Sequence, residues 1–228
     1  MHKLILFDID GTLITDGGAA RRAFGDALAL VYEFPPQLDR HDFSGKTDPQ
    51  IAFEILRDAG FDDHAIHAQL DRLWSEYLLR LEQNTGQASV RTLPGVASLI
   101  TQLEQCQWAT LALLTGNLER GARLKLTPPD LNRHFPFGAF GSDSMYREEL
   151  PPVAAKRART ARGHEFRERD IVIIGDSVFD VRCGVPHGAT TVAVASGRTS
   201  ADLLRAEQPT WFFDSLENNE AVIRAIGP

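Results

Sequence analysis

Two carboxylates separated by one apolar residue, Asp8 and Asp10, follow the unbroken apolar run Leu4 to Phe7, and Gly11-Thr12 after them read as a turn. A short apolar run closed by turn chemistry predicts a strand buried on both faces, as in a parallel sheet. Such a strand delivers its last residues to the carboxyl edge of the sheet, where open α/β folds bind ligands. Two acids crowded there repel each other and lose hydration. They call for a cation, a proton or both between them.

Two further apolar runs end in the same manner. Trp108 to Leu114 closes on Thr115-Gly116-Asn117, and Asp170 to Ile174 closes on Gly175-Asp176-Ser177. In a parallel sheet these termini share one edge, so acid, hydroxyl and acid meet although far apart in sequence. The chemistry suited to such a set is phosphoryl transfer through an aspartate. A phosphate ester is anionic and repels a bare carboxylate, and a Mg²⁺ held by oxygen ligands cancels that repulsion. Asp8 is the expected nucleophile, forming an acyl phosphate. Asp10 is the expected acid/base, protonating the leaving alcohol and later deprotonating water. Asp176 is expected to hold the metal with Asp8 and a backbone carbonyl. Thr115 and the backbone N–H groups of Gly116 and Asn117 are expected to bind phosphoryl oxygens at a helix N-terminus. Ser142-Asp143 also follows a short strand, at Phe137 to Phe140, but reads more simply as capping for the next helix.

The elements that position these residues follow from periodicity. Helices are predicted over about 18–31, 51–59 and 63–81, the first ended by Pro35-Pro36. Asp48 is the expected N-cap of the second, with Pro49 in its first turn. Asp62 or Asp63 caps the third. Phe24, Trp74 and Tyr77 lie on the apolar stripes of these helices and read as their core. From Leu93 onward, strands and helices alternate up to a last strand at Trp211-Phe212-Phe213. The expected fold is α/β, a Rossmann-like doubly wound parallel sheet. Residues 1–15 and 87–228 form that catalytic core, and residues 16–86 form an inserted helical subdomain.

DIDGTL at Asp8 to Leu13, the strand ending in Thr115, and GDSVFD from Gly175 to Asp180 resemble the haloacid dehalogenase superfamily of phosphatases. The three motifs stand in that family's order and span most of the chain. The resemblance implies a Rossmann-like core with a mobile cap, and the helical insert corresponds to the cap type called C1. It also implies that Asp180 is an acid beside the metal, so the candidate metal-holding residues are Asp8, Asp10, Asp176 and Asp180.

The chain departs from the family at the third motif. The family places a lysine at or just before the start of a helix, bridging nucleophile and phosphate. The corresponding stretch, Ser142 to Leu150, has no lysine. Arg147, just ahead of the helix, is the expected substitute, and a guanidinium would grip phosphate through two hydrogen bonds rather than as a point charge. Lys156 lies inside the helix, and Lys125 is a remote candidate. In the Phe43 to Asp48 loop, Lys46 is the cap residue expected to reach a substrate.

The bulk numbers agree with a soluble enzyme of small metabolites. The 228 residues include 43% hydrophobic and 24% charged side chains, and the net charge of -7 argues against a nucleic-acid surface. Two cysteines, Cys106 and Cys183, make no disulfide framework and point to a reducing cytoplasm. No signal-peptide pattern follows Met1, and no run approaches the ~20 apolar residues of a membrane span. The expected activity is Mg²⁺-dependent hydrolysis of a small phosphorylated metabolite by a monomer or small homo-oligomer, resembling phosphoglycolate phosphatases. The alternatives are a phosphomutase of the β-phosphoglucomutase kind, a non-catalytic phospho-accepting switch, and a dehalogenase. The dehalogenase would have no use for Asp10 or a metal.

Overall fold

The structure is a computed structural model that describes residues 2–85 and 90–228. The expected junction at 86/87 lies outside the described residues. Strand β1 (Lys3–Phe7) is buried along its whole length and sits at the centre of a six-stranded sheet. Two short strands, β2 (Ile14–Thr15) and β3 (Arg91–Thr92), pair antiparallel at the base of the helical insert. The sheet is completed by β4 (Ala109–Leu114), β5 (Gly138–Ala139), β6 (Ile171–Gly175), β7 (Thr190–Val194) and β8 (Trp211–Phe213). Its order is β5-β4-β1-β6-β7-β8, and every pairing is parallel. The chain builds outward from β1 through β4 to β5, then returns to the other side of β1 for β6, β7 and β8. That reversal places the switch point between β1 and β6, the crevice where Rossmann-type sheets bind ligands.

Alternation along the strands serves two cores. Ile5, Phe7, Leu111, Leu113, Val172 and Ile174 pack on one face with α4 (Val96–Glu104), α5 (Glu119–Leu126) and α9 (Asn219–Ile226). Leu4, Leu6, Ala112, Leu114 and Ile173 pack on the other face with α6 (Leu150–Arg162) and with Cys183 of α7 (Val178–Gly184). This double coverage accounts for the continuous apolar runs in the sequence. Helix α9 was not anticipated from the pattern. It puts Val222 and Ile226 into the first core, and between β7 and β8 lies α8 (Ala201–Ala206).

The insert holds α1 (Ala19–Tyr32), α2 (Asp48–Asp58) and α3 (Asp63–Asn84). These helices share their own core, in which Phe24, Ile55, Leu73 and Tyr77 are buried, and Leu118 from the sheet unit enters it. Asp62 caps α3 as expected, accepting from the Ala65 N–H. The cap of α2 differs from the expectation. Thr47, not Asp48, accepts from the Gln50 N–H at 3.1 Å, because the Asp48 carboxylate is drawn instead to the Leu118 N–H at 2.8 Å.

Candidate active site

Asp8 directly follows β1 and keeps its pairing, its N–H donating to Ile174 O at 3.0 Å. The chain then closes a tight loop in which the N–H groups of Leu13 and Ile14 donate to Ile9 O at 2.9 and 3.0 Å. Gly11 sits in this loop at φ +85°, and a Cβ there would lie 2.4 Å from an Asp176 oxygen, so glycine is required twice over. The loop turns Thr12 toward β6, where its hydroxyl donates to Asp176 Oδ1 at 2.9 Å. Asp176 follows the last residue of β6. Ser177 caps α7, and Asp180 accepts from the Ser177 N–H at 3.0 Å and from its hydroxyl at 2.6 Å. Asp180 is thus a capping residue, and it also faces the site through its other oxygen.

The carboxylates of Asp8, Asp176 and Asp180 are buried, with one oxygen from each within 4.8 Å of the others. Arg147 answers part of that charge. Its Nη2 donates to Asp8 Oδ1 at 3.0 Å and to Leu114 O at 3.2 Å, and it also pairs with Asp180. Its Nη1 donates to Gly45 O at 3.0 Å, while its buried Nε has no partner among the described residues. Three anions against one cation leave the cluster under-neutralised. Burial pushes the Asp8 carboxyl up to about 7, Arg147 opposing and Asp180 and Asp10 adding to the rise. Burial raises Asp176 well above the usual carboxylate range, reinforced by Asp8 and Asp180. Hard oxygen donors with unmet negative charge fit a divalent cation such as Mg²⁺.

Asp10 stands apart from this triad. Both its oxygens accept from Lys125 Nζ, at 2.9 and 2.8 Å, and Oδ2 also accepts from Asn117 Nδ2 at 2.8 Å. Lys125, weighed as a stand-in for the third-motif lysine, bonds Asp10 rather than Asp8, its ammonium carried under the β4 terminus by one face of α5. Thr115 is buried, and its hydroxyl accepts from Asn117 Nδ2 at 2.7 Å. Gly116 faces the insert so closely that a Cβ would lie 2.0 Å from Lys46 O. Lys46 lines the cavity, but its ammonium is held by Glu54. Lys156 is exposed. Asp143 does not cap the next helix as expected, since Glu149 precedes α6 without a side-chain cap; it accepts instead from the Phe140 N–H at 3.0 Å and pairs with Arg157.

A cavity of about 410 Å³ lies between sheet edge and insert. It is lined by Asp8, Asp10, Thr115, Gly116, Asn117, Lys125, Arg147 and Asp176 from below and by Arg21, Phe24, Phe43 and Tyr77 from above. Phe24 and Tyr77 are thus core residues that also reach the cavity. Sequence reasoning missed Thr12, Asp48 and the Ser196-Gly197-Arg198 turn after β7. That turn had a visible signal, since the apolar run 190–195 ends on the same sheet edge as the motifs.

The model of the haloacid dehalogenase-like hydrolases matches residues 5–184. This chain belongs to that family. It is 24% identical over 224 residues to the phosphoglycolate phosphatase of Vibrio vulnificus (strain CMCP6), across 94% of this chain and 92% of that one. It is 27% identical over 212 residues to the phosphoglycolate phosphatase of Rhodobacter capsulatus, across 90% of each chain. The crystal structure of a hydrolase from Pseudomonas syringae has the same fold, with a TM-score of 0.77 at 20% identity and 100% of both chains covered. Among the described residues of this haloacid dehalogenase-like hydrolase, no helix is long and apolar enough to cross a membrane.

Proposed function

We propose that this hydrolase is a Mg²⁺-dependent phosphatase of a small phosphorylated metabolite in the cytoplasm, working through an aspartyl-phosphate on Asp8. The observation that carries this reading is the cluster at the β1/β6 switch point. There the Asp8 carboxylate touches Arg147 and lies with Asp176 and Asp180. A Mg²⁺ bound by these carboxylates would offset the repulsion between a carboxylate nucleophile and an anionic ester.

In the first half-reaction an Asp8 oxygen attacks phosphorus. The bond from phosphorus to the alcohol oxygen breaks, and that oxygen takes its electron pair and a proton from Asp10. Arg147, the Thr115 hydroxyl and the N–H groups of Gly116 and Asn117 hold the phosphoryl oxygens as charge develops on them. In the second half, water attacks the phosphorus of the acyl phosphate and gives its proton to Asp10. Inorganic phosphate leaves and Asp8 is restored. The helices within 16–86 act as a lid that excludes bulk water from the intermediate. The names of the two relatives make 2-phosphoglycolate the first ester to try.

The test is a screen of phosphorylated metabolites that reads released phosphate, with Mg²⁺ and with EDTA. Turnover that needs Mg²⁺ and vanishes in EDTA is expected. Full activity in EDTA, or no phosphate from any ester, contradicts the reading.

A further inference from the structure

Lys125 is buried on α5, and the phosphoryl-transfer roles above leave it without a task. An ammonium out of water is expensive, and a buried ion pair is weak evidence for stability. Its three donor hydrogens are all committed. Nζ reaches both oxygens of Asp10 and, at 2.6 Å, Asn117 Oδ1. Asn117 in turn bonds the same Asp10 through Nδ2 at 2.8 Å, so lysine, amide and carboxylate form a closed ring of hydrogen bonds. Asp10 is more open than Asp8 and Asp180, its side chain 41% exposed while that of Lys125 is 4% exposed. The rigid member of the pair is therefore the lysine, anchored in a helix whose Ala122 and Leu126 are fully buried. Asp10 has only the turn after β1 behind it.

We propose that Lys125 is a positioning residue for Asp10. Together with Asn117 it aims the carboxyl across the cavity toward the leaving-group oxygen and keeps it out of the Asp8–Asp176–Asp180 cluster. The inference rests on the phosphatase reading, and it assigns Lys125 no contact with substrate. Proton delivery matters only when the departing alkoxide is strongly basic. A displaced carboxyl therefore penalises alkyl phosphates and spares activated aryl phosphates, whereas general damage to the fold penalises both.

The experiment compares kcat/KM for 2-phosphoglycolate and for p-nitrophenyl phosphate in the wild type, Lys125→Met, Lys125→Arg, Asp10→Asn and the Lys125→Met/Asp10→Asn double variant. This constant reports only the steps through departure of the alcohol. Lys125→Met should lower it about tenfold or more for the alkyl ester, within the range a positioned acid supplies, and by no more than about twofold for the aryl ester. Lys125→Arg should recover part of the loss. In the Asp10→Asn background, Lys125→Met should add no further selectivity, because two residues acting as one unit are not additive. Should Lys125→Met fail to fold, Lys125→Gln, which keeps a donor without the charge, carries the same comparison. Equal losses on both esters, or additive losses in the double variant, overturn the role of Lys125 and leave the phosphatase reading standing. Where the metabolite screen favours another alkyl ester, that ester takes the place of 2-phosphoglycolate, and a wild type that turns over no ester of the screen removes both.

Discussion

Arg147 lies just ahead of α6, where the resemblance leads one to expect a lysine, and its shape changes what the position can do. A lysine is a single point of charge, whereas this guanidinium spans Asp8, Asp180, Leu114 O and Gly45 O at once. Truncation leaves two buried carboxylates without that partner. Arg147→Ala should therefore lose about 3–5 kcal/mol of stability in EDTA, read from urea midpoints, and most of its kcat/KM toward phosphate esters. Lys156→Ala, at an exposed site on α6, should leave both unchanged. A larger effect at Lys156 than at Arg147 contradicts the assignment. The sequence offered the arginine by its position just ahead of a helix, and the contact with Asp8 is what the fold adds. The contact of Lys125 was not legible, because the pattern places it on α5 but says nothing of a carboxylate 115 residues earlier on which it closes.

At the scale of elements, the start of α2 joins the helical insert to the sheet edge. Thr47 caps the helix and donates to Met145 O at 2.7 Å, the Asp48 N–H donates to Gly116 O at 2.8 Å, and the Asp48 carboxylate takes the Leu118 N–H. Burial raises Asp48 from 3.8 to about 6, with Lys125 and the Leu118 N–H opposing the rise. The folded chain thus holds a proton on Asp48 that the unfolded chain releases. Between those two values folding takes up a proton, and stability falls as pH rises. Asp48→Asn keeps the acceptor for Leu118 and removes the titration. The stability of the variant relative to wild type, from urea midpoints, should therefore grow as pH is raised through that window and level off above it. Parallel curves show that Asp48 does not titrate there. The capping residue was misread from sequence because threonine and aspartate both favour the N-cap, and the Leu118 N–H that draws Asp48 away lies across the fold.

For the molecule as a whole, the sheet order turns sequence distance into contact. Asp8, Thr115 and Asp176 directly follow three adjacent strands, β1, β4 and β6. This much was legible, because each apolar run reports burial on both faces and each closing motif reports the edge. Helix α9 and the turn after β7 were harder to read. A short final helix carries little periodicity, and Gly197 reveals its purpose only beside Asp176, where a Cβ would lie 1.6 Å from an oxygen. The central claim concerns one bond, an acyl phosphate on Asp8. Its most direct test is to mix enzyme, Mg²⁺ and excess phosphorylated substrate, quench in acid within the first turnovers, and map the peptides by mass spectrometry. The account predicts one phosphoryl group on the peptide spanning Asp8, released by hydroxylamine and missing in an inactive Asp8→Asn variant. Turnover by Asp8→Asn, or a phosphoryl group trapped on any other side chain, contradicts it.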